Sequence, residues 1–310
     1  MKIDVFAHIL PKKYLEAYGK KNKAVLDQVE VANRAVIDLE VRLRLMDRYP
    51  DVIQVLTLAQ PPLEKFVEPR DAVELARLAN DELAELVEKY PDKFIAAVAC
   101  LPMNDIDAAL KEADRAITQL GFKGVQIYSR VKGEPLDNPK FKPLFEKMAG
   151  YDLPIWIHPT TDANLDTGGI LGWPFETAAA MYRLVLAEIF NHYPNIKFIT
   201  HHAGSMIPFF GNRLKWLLYP SRISPTLKNP VEHFKKFYND TALYGSTPAL
   251  MCAYEFFGAD HLLYGTDAPL GPKYGLTQET IESVQKMSIT EDEKDRILTR
   301  NAIQLLALAH

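Results

Sequence analysis

The stretch Lys197–Arg213, KFITHHAGSMIPFFGNR, is the segment around which the rest of the chain is organised. Residues with strand propensity over 198–201 run directly into paired histidines and then into the small residues of 203–205. Ser205 is of a type that caps helix N-termini, and an apolar segment follows it. The pattern predicts a strand that presents imidazoles at its carboxyl end and then returns as a helix. Barrel enzymes carry their chemistry at this kind of junction.

Short apolar strands alternate with helical patterns along the chain, and the helical spacing is clearest over 71–90. Strands separated by helices pair in parallel through right-handed crossovers. Eight such strands favour an α/β fold of the closed (β/α)8 TIM-barrel type over an open sheet, as one domain spanning residues 1–310. The predicted strands are Lys2–Phe6, Val52–Leu58, Phe94–Cys100, Gly124–Ile127, Pro154–His158, Lys197–His201, Phe237–Asp240 and Leu262–Gly265.

Composition narrows the function classes. The 310 residues are 48% hydrophobic and 25% charged, which is ordinary for a globular protein with a sizeable core. A net charge of −4 gives no electrostatic reason to expect nucleic acid or an anionic membrane as partner. The most apolar long stretch, over 178–190, carries Arg183 and Glu188 and does not fit a membrane span.

Cysteine usage and missing motifs add two further expectations. Cys100 and Cys252 lie far apart in apolar contexts, so we expect buried free thiols in a reducing compartment. No signal-peptide pattern opens the chain, and the prediction is a cytoplasmic protein. No GxGxxG or GxxxxGK[ST] follows any predicted strand, so no organic cofactor is expected.

Three connections are candidates for covering the barrel mouth. They are the segment over 10–38, the glycine-containing segment over 160–174, and the shorter segment over 268–276. Each is either a lid or substrate loop or a plain surface connection.

Polar side chains lie at the carboxyl ends of several predicted strands. His8 follows the first strand, His158 ends the fifth, and Asp267 follows the eighth. Two nitrogens and one carboxylate oxygen suit a divalent cation. A single histidine at a strand end is most often a hydrogen-bonded structural residue. Several at the same end of a barrel predict a shared site, because all carboxyl ends meet at one rim.

The paired histidines need separate interpretations. Period-two alternation places His202 with Phe198 and Thr200, and His201 with Ile199 toward the helix layer. His202 is the candidate acid/base, and His201 is expected to pack or to orient a neighbour.

Three other positions have alternative interpretations. Trp173 either stacks on a planar substrate or anchors a lid. Asp240, after the seventh strand, is a candidate for orienting a histidine. Arg42, with Arg44 and Asp47 on the same predicted helix, is interpreted as part of a solvated or interface face.

The segments MKIDVFAHILPKKY, PIWIHP, FITHHAGSMIPFFGNR and LLYGTDAP resemble the signature segments of the amidohydrolase-related decarboxylases. This family includes aminocarboxymuconate semialdehyde, γ-resorcylate and 5-carboxyvanillate decarboxylases. The resemblance covers nearly the whole chain in the expected order. It implies a (β/α)8 barrel of the metal-dependent hydrolase type that holds one divalent ion, with Zn2+ favoured and Mn2+ or Mg2+ as alternatives.

The resemblance also implies roles for particular residues. His8 and His158 would be metal ligands, and Asp267 would be a ligand or a carboxylate that handles a proton. His202 would match the catalytic histidine of the family. Arg213 would match an arginine that binds a substrate carboxylate in the site of a neighbouring subunit, which implies a homodimer or a higher homo-oligomer.

Phe6 departs from the family pattern, in which the first strand usually reads HxH or ExH. Phenylalanine has no lone pair, so one ligand is missing and Phe6 is instead expected to contact substrate. Either the metal remains on His8, His158 and Asp267, with water or substrate in the other positions, or metal affinity and activity are reduced or lost.

Three functional hypotheses follow. The first is a metal-dependent non-oxidative decarboxylase of an aromatic or unsaturated carboxylic acid, with Asp267 or a water activated by His202 supplying a proton to carbon. The second is a metal-dependent hydrolase or hydratase that adds water to a lactone, an amide or a double bond at the same site. The third is a barrel that binds a small acid without turning it over, and only Phe6 supports it.

Overall fold

The computed structural model describes residues 1–29, 34–160, 168–218 and 226–308. Within these residues the strands are β1 (Lys2–Ile9), β2 (Val52–Leu58), β3 (Phe94–Ala97), β4 (Ala99–Cys100), β5 (Val125–Tyr128), β6 (Arg130–Val131), β7 (Glu134–Pro135), β8 (Ile155–His158), β9 (Phe198–Thr200) and β10 (Tyr238–Asn239). The α-helices are Lys12–Lys21, Ala24–Val29, Leu39–Met46, Pro69–Lys89, Ile106–Thr118, Lys142–Tyr151, Gly168–Leu186, Ile189–His192, Met206–Phe209, Gly211–Leu217, Pro230–Phe234, Thr247–Phe257, Pro272–Gln285, Glu291–Asp295 and Asn301–Leu305.

The strands pair in parallel in the order expected of a barrel. One sheet runs β1-β2-β3 and the other runs β10-β9-β8-β5-β4. Because only Val98 separates β3 from β4, the two sheets continue into each other. The short antiparallel pair β6–β7 belongs to the connection after β5. The predicted (β/α)8 architecture is confirmed.

The eighth barrel position differs from the prediction, because Leu262–Gly265 does not form a regular strand. Isolated bridges join Leu262 to Asn239 and Ala268 to Ala7. The chain nevertheless closes the barrel, since the Leu263 amide donates to Asn239 O at 2.8 Å and the His8 amide donates to Ala268 O at 2.7 Å.

Side chains cause the irregularity. They form hydrogen bonds with backbone groups that would pair with a neighbouring strand in a regular sheet. Asp4 Oδ1 accepts from the Thr266 amide at 3.0 Å, and Asp4 Oδ2 accepts from Thr266 Oγ1 at 2.5 Å. Thr241 Oγ1 accepts from the Gly265 amide at 3.1 Å and donates to Gly265 O at 3.0 Å. Glycine is required at 265, because an added Cβ would lie 2.8 Å from Asp240 Cβ. These bonds fix the segment that leads to Asp267.

The barrel interior is packed with apolar side chains. Phe6, Trp156 and Ile199 belong to one buried cluster, which the helix Asn301–Leu305 extends through Ala302 and Leu305. Trp156 Nε1 donates across the interior to Val5 O at 2.9 Å. The filled interior leaves the carboxyl-end mouth as the place for chemistry.

The three long connections differ partly from their prediction. Gly168–Leu186 is helical, so the second half of the predicted 160–174 loop is the start of a helix, and residues 161–167 lie outside the described residues. The helix Pro272–Gln285 begins inside the predicted 268–276 connection. The 10–38 segment contains Lys12–Lys21 and Ala24–Val29, and Tyr14 within it is buried, with its amide donating to Glu82 Oε2 at 2.7 Å.

Across the described ranges, no helix combines the length and the apolar character needed to cross a membrane. The two cysteines are free thiols, Cys100 buried and Cys252 half-buried.

Candidate metal centre

Three imidazoles meet at the carboxyl-end mouth of the barrel. His8 lies near the end of β1, His158 ends β8, and His201 follows β9 directly. All three are buried, and one ligand nitrogen from each lies within 4.8 Å of the others. Residues far apart in sequence are therefore brought to one point by the barrel closure.

Asp267 lies on the His8 side of this group. Its Oδ1 is 3.0 Å from His8 Nε2, and its Oδ2 accepts from the Tyr244 hydroxyl at 3.4 Å. The approach to His8 does not have hydrogen-bond geometry, so His8 Nε2 has no hydrogen-bond partner among the described residues. The nitrogen and the oxygen therefore lie side by side, as two ligands of one ion would.

Each imidazole is held through its Nδ1 atom. His8 Nδ1 lies 2.9 Å from Thr57 Oγ1, a hydroxyl whose own proton points to Ala7 O. His158 Nδ1 lies 2.8 Å from Pro159 O, and His201 Nδ1 lies 2.5 Å from Asp240 Oδ2. Because the nearest partner of each Nδ1 can act as an acceptor, we assign the proton to each Nδ1 and the lone pair to each Nε2.

The donor set fits a divalent ion. Metal-binding histidines typically donate their second ring nitrogen to a carbonyl or a carboxylate, as His158 and His201 do here. The Nε2 atoms of His8 and His201 are buried and without hydrogen-bond partners within the described ranges. Imidazole nitrogens with a carboxylate oxygen suit Zn2+ and Mn2+. The predicted orienting role of Asp240 is confirmed, since it bonds His201.

Burial keeps the imidazoles of His158, His201 and His202 neutral. It lowers the pKa of His158 well below its ordinary value, with His201 and His8 adding to the effect. It lowers the pKa of His201 to about 3 and that of His202 to about 4. Burial raises the pKa of Asp267, but the adjacent His8 outweighs this effect, with smaller contributions from His201 and His158, and the pKa lies well below its ordinary value. At neutral pH the neutral imidazoles of His158 and His201 thus lie near a carboxylate.

The prediction for the facing of the paired histidines was wrong. His201 and Ile199 do share a face, but that face points into the barrel, where His201 lies beside His8 and His158. Phe198 faces the helix layer and packs on Phe145, Phe190 and Phe237. Both faces of the strand are fully buried, with apolar Phe198 on one and apolar Ile199 on the other, so alternation alone could not tell inside from outside.

His202 lies beside the metal-binding group. Its Nδ1 is 3.3 Å from Thr177 Oγ1, and it lines a cavity of about 230 Å³ with His158, His201 and Asp267. Trp173 lines the same cavity, and its buried Nε1 has no partner among the described residues. The cavity is smaller than pockets for drug-sized ligands, so it suits a small single-ring molecule.

Residues from the connections complete the cavity wall. Val36 comes from the segment over 10–38 and Leu270 from the segment over 268–276, so both connections cover the mouth as the first alternative predicted. Gln60 and Pro61, which follow β2, line it as well. Sequence reasoning did not find these two, because no polar pattern at the end of the second strand sets them apart.

Phe6 and Arg213 lie apart from the cavity. Phe6 is fully buried and stacks on the His201 ring, with 3.4 Å between ring centroids and 28° between planes. This position differs from the expected substrate contact, because the His201 ring occupies the face that Phe6 would present. Arg213 is exposed on the helix Gly211–Leu217 and lines a separate apolar groove with Phe175 and Leu217.

Arg42 is buried, which corrects the prediction that it belongs to a solvated face. Its guanidinium donates to His8 O and, at 2.7 Å, to Gln54 Oε1. Its charged group also lies 5.6 Å from the centre of the Phe94 ring. Met46 lies four residues after Arg42, on the same side of the helix, and is also buried. This apolar residue could have indicated that the side of the helix carrying Arg42 faces the core.

Comparisons with known proteins agree with this geometry. The amidohydrolase family matches residues 3–308. A γ-resorcylate decarboxylase of Rhizobium sp. is 31% identical over 90% of this chain and 90% of its own length. A 2-amino-3-carboxymuconate-6-semialdehyde decarboxylase of Dictyostelium discoideum is 29% identical over 99% of this chain and 92% of its own length.

A solved structure supports the same relationship. The dihydroxybenzoic acid decarboxylase of Polaromonas sp. JS666, with bound manganese and the inhibitor 2-nitroresorcinol, has a TM-score of 0.81 and 25% identity. The match covers 99% of this chain and 96% of that chain. The names of these relatives favour decarboxylation over the addition of water. The chain belongs to the amidohydrolase family, in the branch that contains the γ-resorcylate and aminocarboxymuconate semialdehyde decarboxylases.

Proposed function

We propose that this protein is a metal-dependent, non-oxidative decarboxylase of a small aromatic or unsaturated carboxylic acid. The observation that carries the proposal is the meeting of three buried imidazoles, those of His8, His158 and His201, with the Asp267 carboxylate beside one small cavity. Hydroxybenzoic acids are the substrate class to test first, since the relatives include γ-resorcylate and dihydroxybenzoic acid decarboxylases.

His8, His158 and Asp267 would hold the ion, and the buried Nε2 of His8 faces Asp267 without a hydrogen bond. A bound divalent ion supplies Lewis-acid chelation of the substrate carboxylate and an adjacent hydroxyl. We favour Zn2+, with Mn2+ or Mg2+ as alternatives. Manganese is bound in the Polaromonas relative.

The reaction needs a proton at the carbon that bears the carboxylate. Once that carbon is protonated, the bond to the carboxylate breaks, its electron pair returns to the ring or enol, and CO2 leaves. Asp267, or a water that His202 orients, would supply this proton. His202 is neutral because burial lowers its pKa to about 4, so its imidazole offers a lone pair to such a water. Trp173 would offer its indole N–H, which has no partner among the described residues, to orient an oxygen of the substrate.

Arg213 supports a second part of the proposal, a homodimer or higher homo-oligomer. It is exposed and lies outside the cavity of its own chain, on a groove lined with apolar residues. In a dimer it would bind a substrate carboxylate of the neighbouring subunit. The free thiols of Cys100 and Cys252 support a cytoplasmic location.

The test is a screen of hydroxybenzoates for CO2 release by the purified protein loaded in turn with Zn2+, Mn2+ and Mg2+. We expect CO2 and a product that gains one solvent proton at carbon. Incorporation of solvent oxygen into product without CO2 would contradict the proposal and favour the hydrolase alternative. Metal content measured on the same sample relates turnover to the bound ion.

A further inference from the structure

The proposed set of His8, His158 and Asp267 leaves unexplained a third imidazole in the same group. β1 offers a single nitrogen donor to the mouth, because Phe6 has no lone pair. His201 lies where a further donor is needed, with its ligand nitrogen within 4.8 Å of those of His8 and His158. We propose that His201 is the third imidazole ligand of the divalent ion and that Asp240 is its positioning residue. The inference rests on the proposed metal site and deepens it.

Asp240 fixes the direction of the His201 lone pair. Its Oδ1 accepts from the amides of Ala203 at 3.2 Å and Ala242 at 3.0 Å, so the carboxylate cannot turn. Its Oδ2 then lies 2.5 Å from His201 Nδ1. With Nδ1 committed as a donor, Nε2 carries the lone pair, and it is buried and unpartnered within the described residues. This carboxylate–imidazole arrangement is the one that orients ligands of structural and catalytic metals.

Phe6 holds His201 from the other side. The two rings are stacked with centroids 3.4 Å apart, and neither side chain has room to turn, because both are buried. Phe6 replaces a possible ligand on β1, and it also packs on the His201 ring, which would supply a ligand in its place. Among the described residues His202 has no comparable support, since its Nδ1 contacts only the Thr177 hydroxyl, at 3.3 Å.

The alternative role for His201 is proton transfer, since a carboxylate-bound imidazole also serves as a general base. The positions of His201 and His202 distinguish metal binding from proton transfer. Three imidazoles around one point match a catalytic zinc site of the three-histidine type, with a further position left for substrate or water. His202 already places an imidazole on the cavity wall for proton transfer.

The experiment counts imidazole ligands on bound Mn2+. Pulsed electron paramagnetic resonance of the Mn2+-loaded wild-type protein should show three imidazole nitrogens. His201→Gln should show two, with Mn2+ affinity lowered at least ~10–100-fold, the range found for loss of an orienting partner alone. The matched control, His202→Gln, should keep three imidazoles and wild-type affinity.

Two failures are distinguishable. Two imidazoles in the wild-type protein, with unchanged affinity in His201→Gln, would overturn the inference and assign His201 to proton transfer. A wild-type protein that binds no divalent ion would overturn the proposed function itself. If His201→Gln does not fold, the wild-type count decides the question alone.

Discussion

Asp267 is the residue whose chemistry the proposed reaction depends on most directly. Asp267→Asn keeps the shape of the side chain but removes the negative charge beside His8 and the ability to pass on a proton. We expect turnover to fall by ~10²–10⁴-fold, the usual size of an acid/base contribution. The fold should persist, since within the part of the chain that the structure describes the carboxylate accepts only a long hydrogen bond, from Tyr244. An assay of CO2 release measures turnover, and a thermal melt measures whether the fold persists. A near wild-type rate would show that Asp267 takes no part in the mechanism.

Arg42 couples the metal site to the stability of the barrel. Arg42→Met keeps much of the side-chain volume but leaves Gln54 Oε1 and His8 O without its donors. Buried acceptors left unpaired cost about 1–3 kcal/mol each, so we expect a loss of that order in the free energy of unfolding. Because His8 is a proposed ligand, Mn2+ affinity should fall as well.

Arg44→Met provides the matched control for Arg42, because Arg44 is exposed on the same helix. Its effect on the free energy of unfolding should stay within ~0.5 kcal/mol. Equal effects of the two substitutions, measured by urea unfolding, would show that the buried contacts of Arg42 contribute nothing specific.

At the scale of elements, sequence pattern predicted most of the barrel. Apolar runs such as Val52–Leu58 coincide with strands, because parallel barrel strands are buried on both faces. The same burial hid the facing of His201, since Phe198 and Ile199 on opposite faces are equally apolar. The eighth segment could not be predicted as irregular, because its geometry depends on Asp4, whose side chain comes from the opposite end of the chain.

The helix Gly211–Leu217 tests the proposed oligomer. Trp216 is 70% exposed and Leu217 61% exposed, and Phe209 just before the helix is 77% exposed. Large apolar groups exposed together mark interaction surfaces. Trp216→Glu should therefore convert a wild-type dimer to a monomer. CO2 release should fall with it, because Arg213 would no longer reach a neighbouring cavity.

Light scattering after size-exclusion chromatography measures this conversion. Leu26→Glu, at an exposed leucine on a different helix, is the control and should leave the oligomeric state unchanged. A wild-type protein that is monomeric at micromolar concentration would contradict the proposed oligomer, while the metal site would remain to be tested by itself.

At the scale of the whole molecule, a buried acid away from the proposed ligands shapes the pH dependence of stability. Glu64, in the short 3-10 helix Leu63–Lys65, is buried, and its Oε1 has no partner among the described residues. Burial raises its pKa to about 7 from an ordinary value of 4.5. Between these values the folded protein holds a proton that the unfolded chain releases. The free energy of unfolding therefore falls as pH rises from 4.5 to about 7, and above that pH the contribution of Glu64 stays constant.

Glu64→Gln removes this titration while keeping the shape of the side chain. Its free energy of unfolding relative to wild type should increase from pH 4.5 to pH 8 by about 3 kcal/mol, since each pKa unit is worth about 1.4 kcal/mol. Urea unfolding at both pH values measures the change, with Glu68→Gln as an exposed control expected to stay within ~0.5 kcal/mol of wild type. A pH-independent difference for Glu64→Gln would mean that Glu64 ionises in the folded protein as it does in the unfolded chain. Its burial would then be offset by solvent or by a cation within reach of the carboxylate.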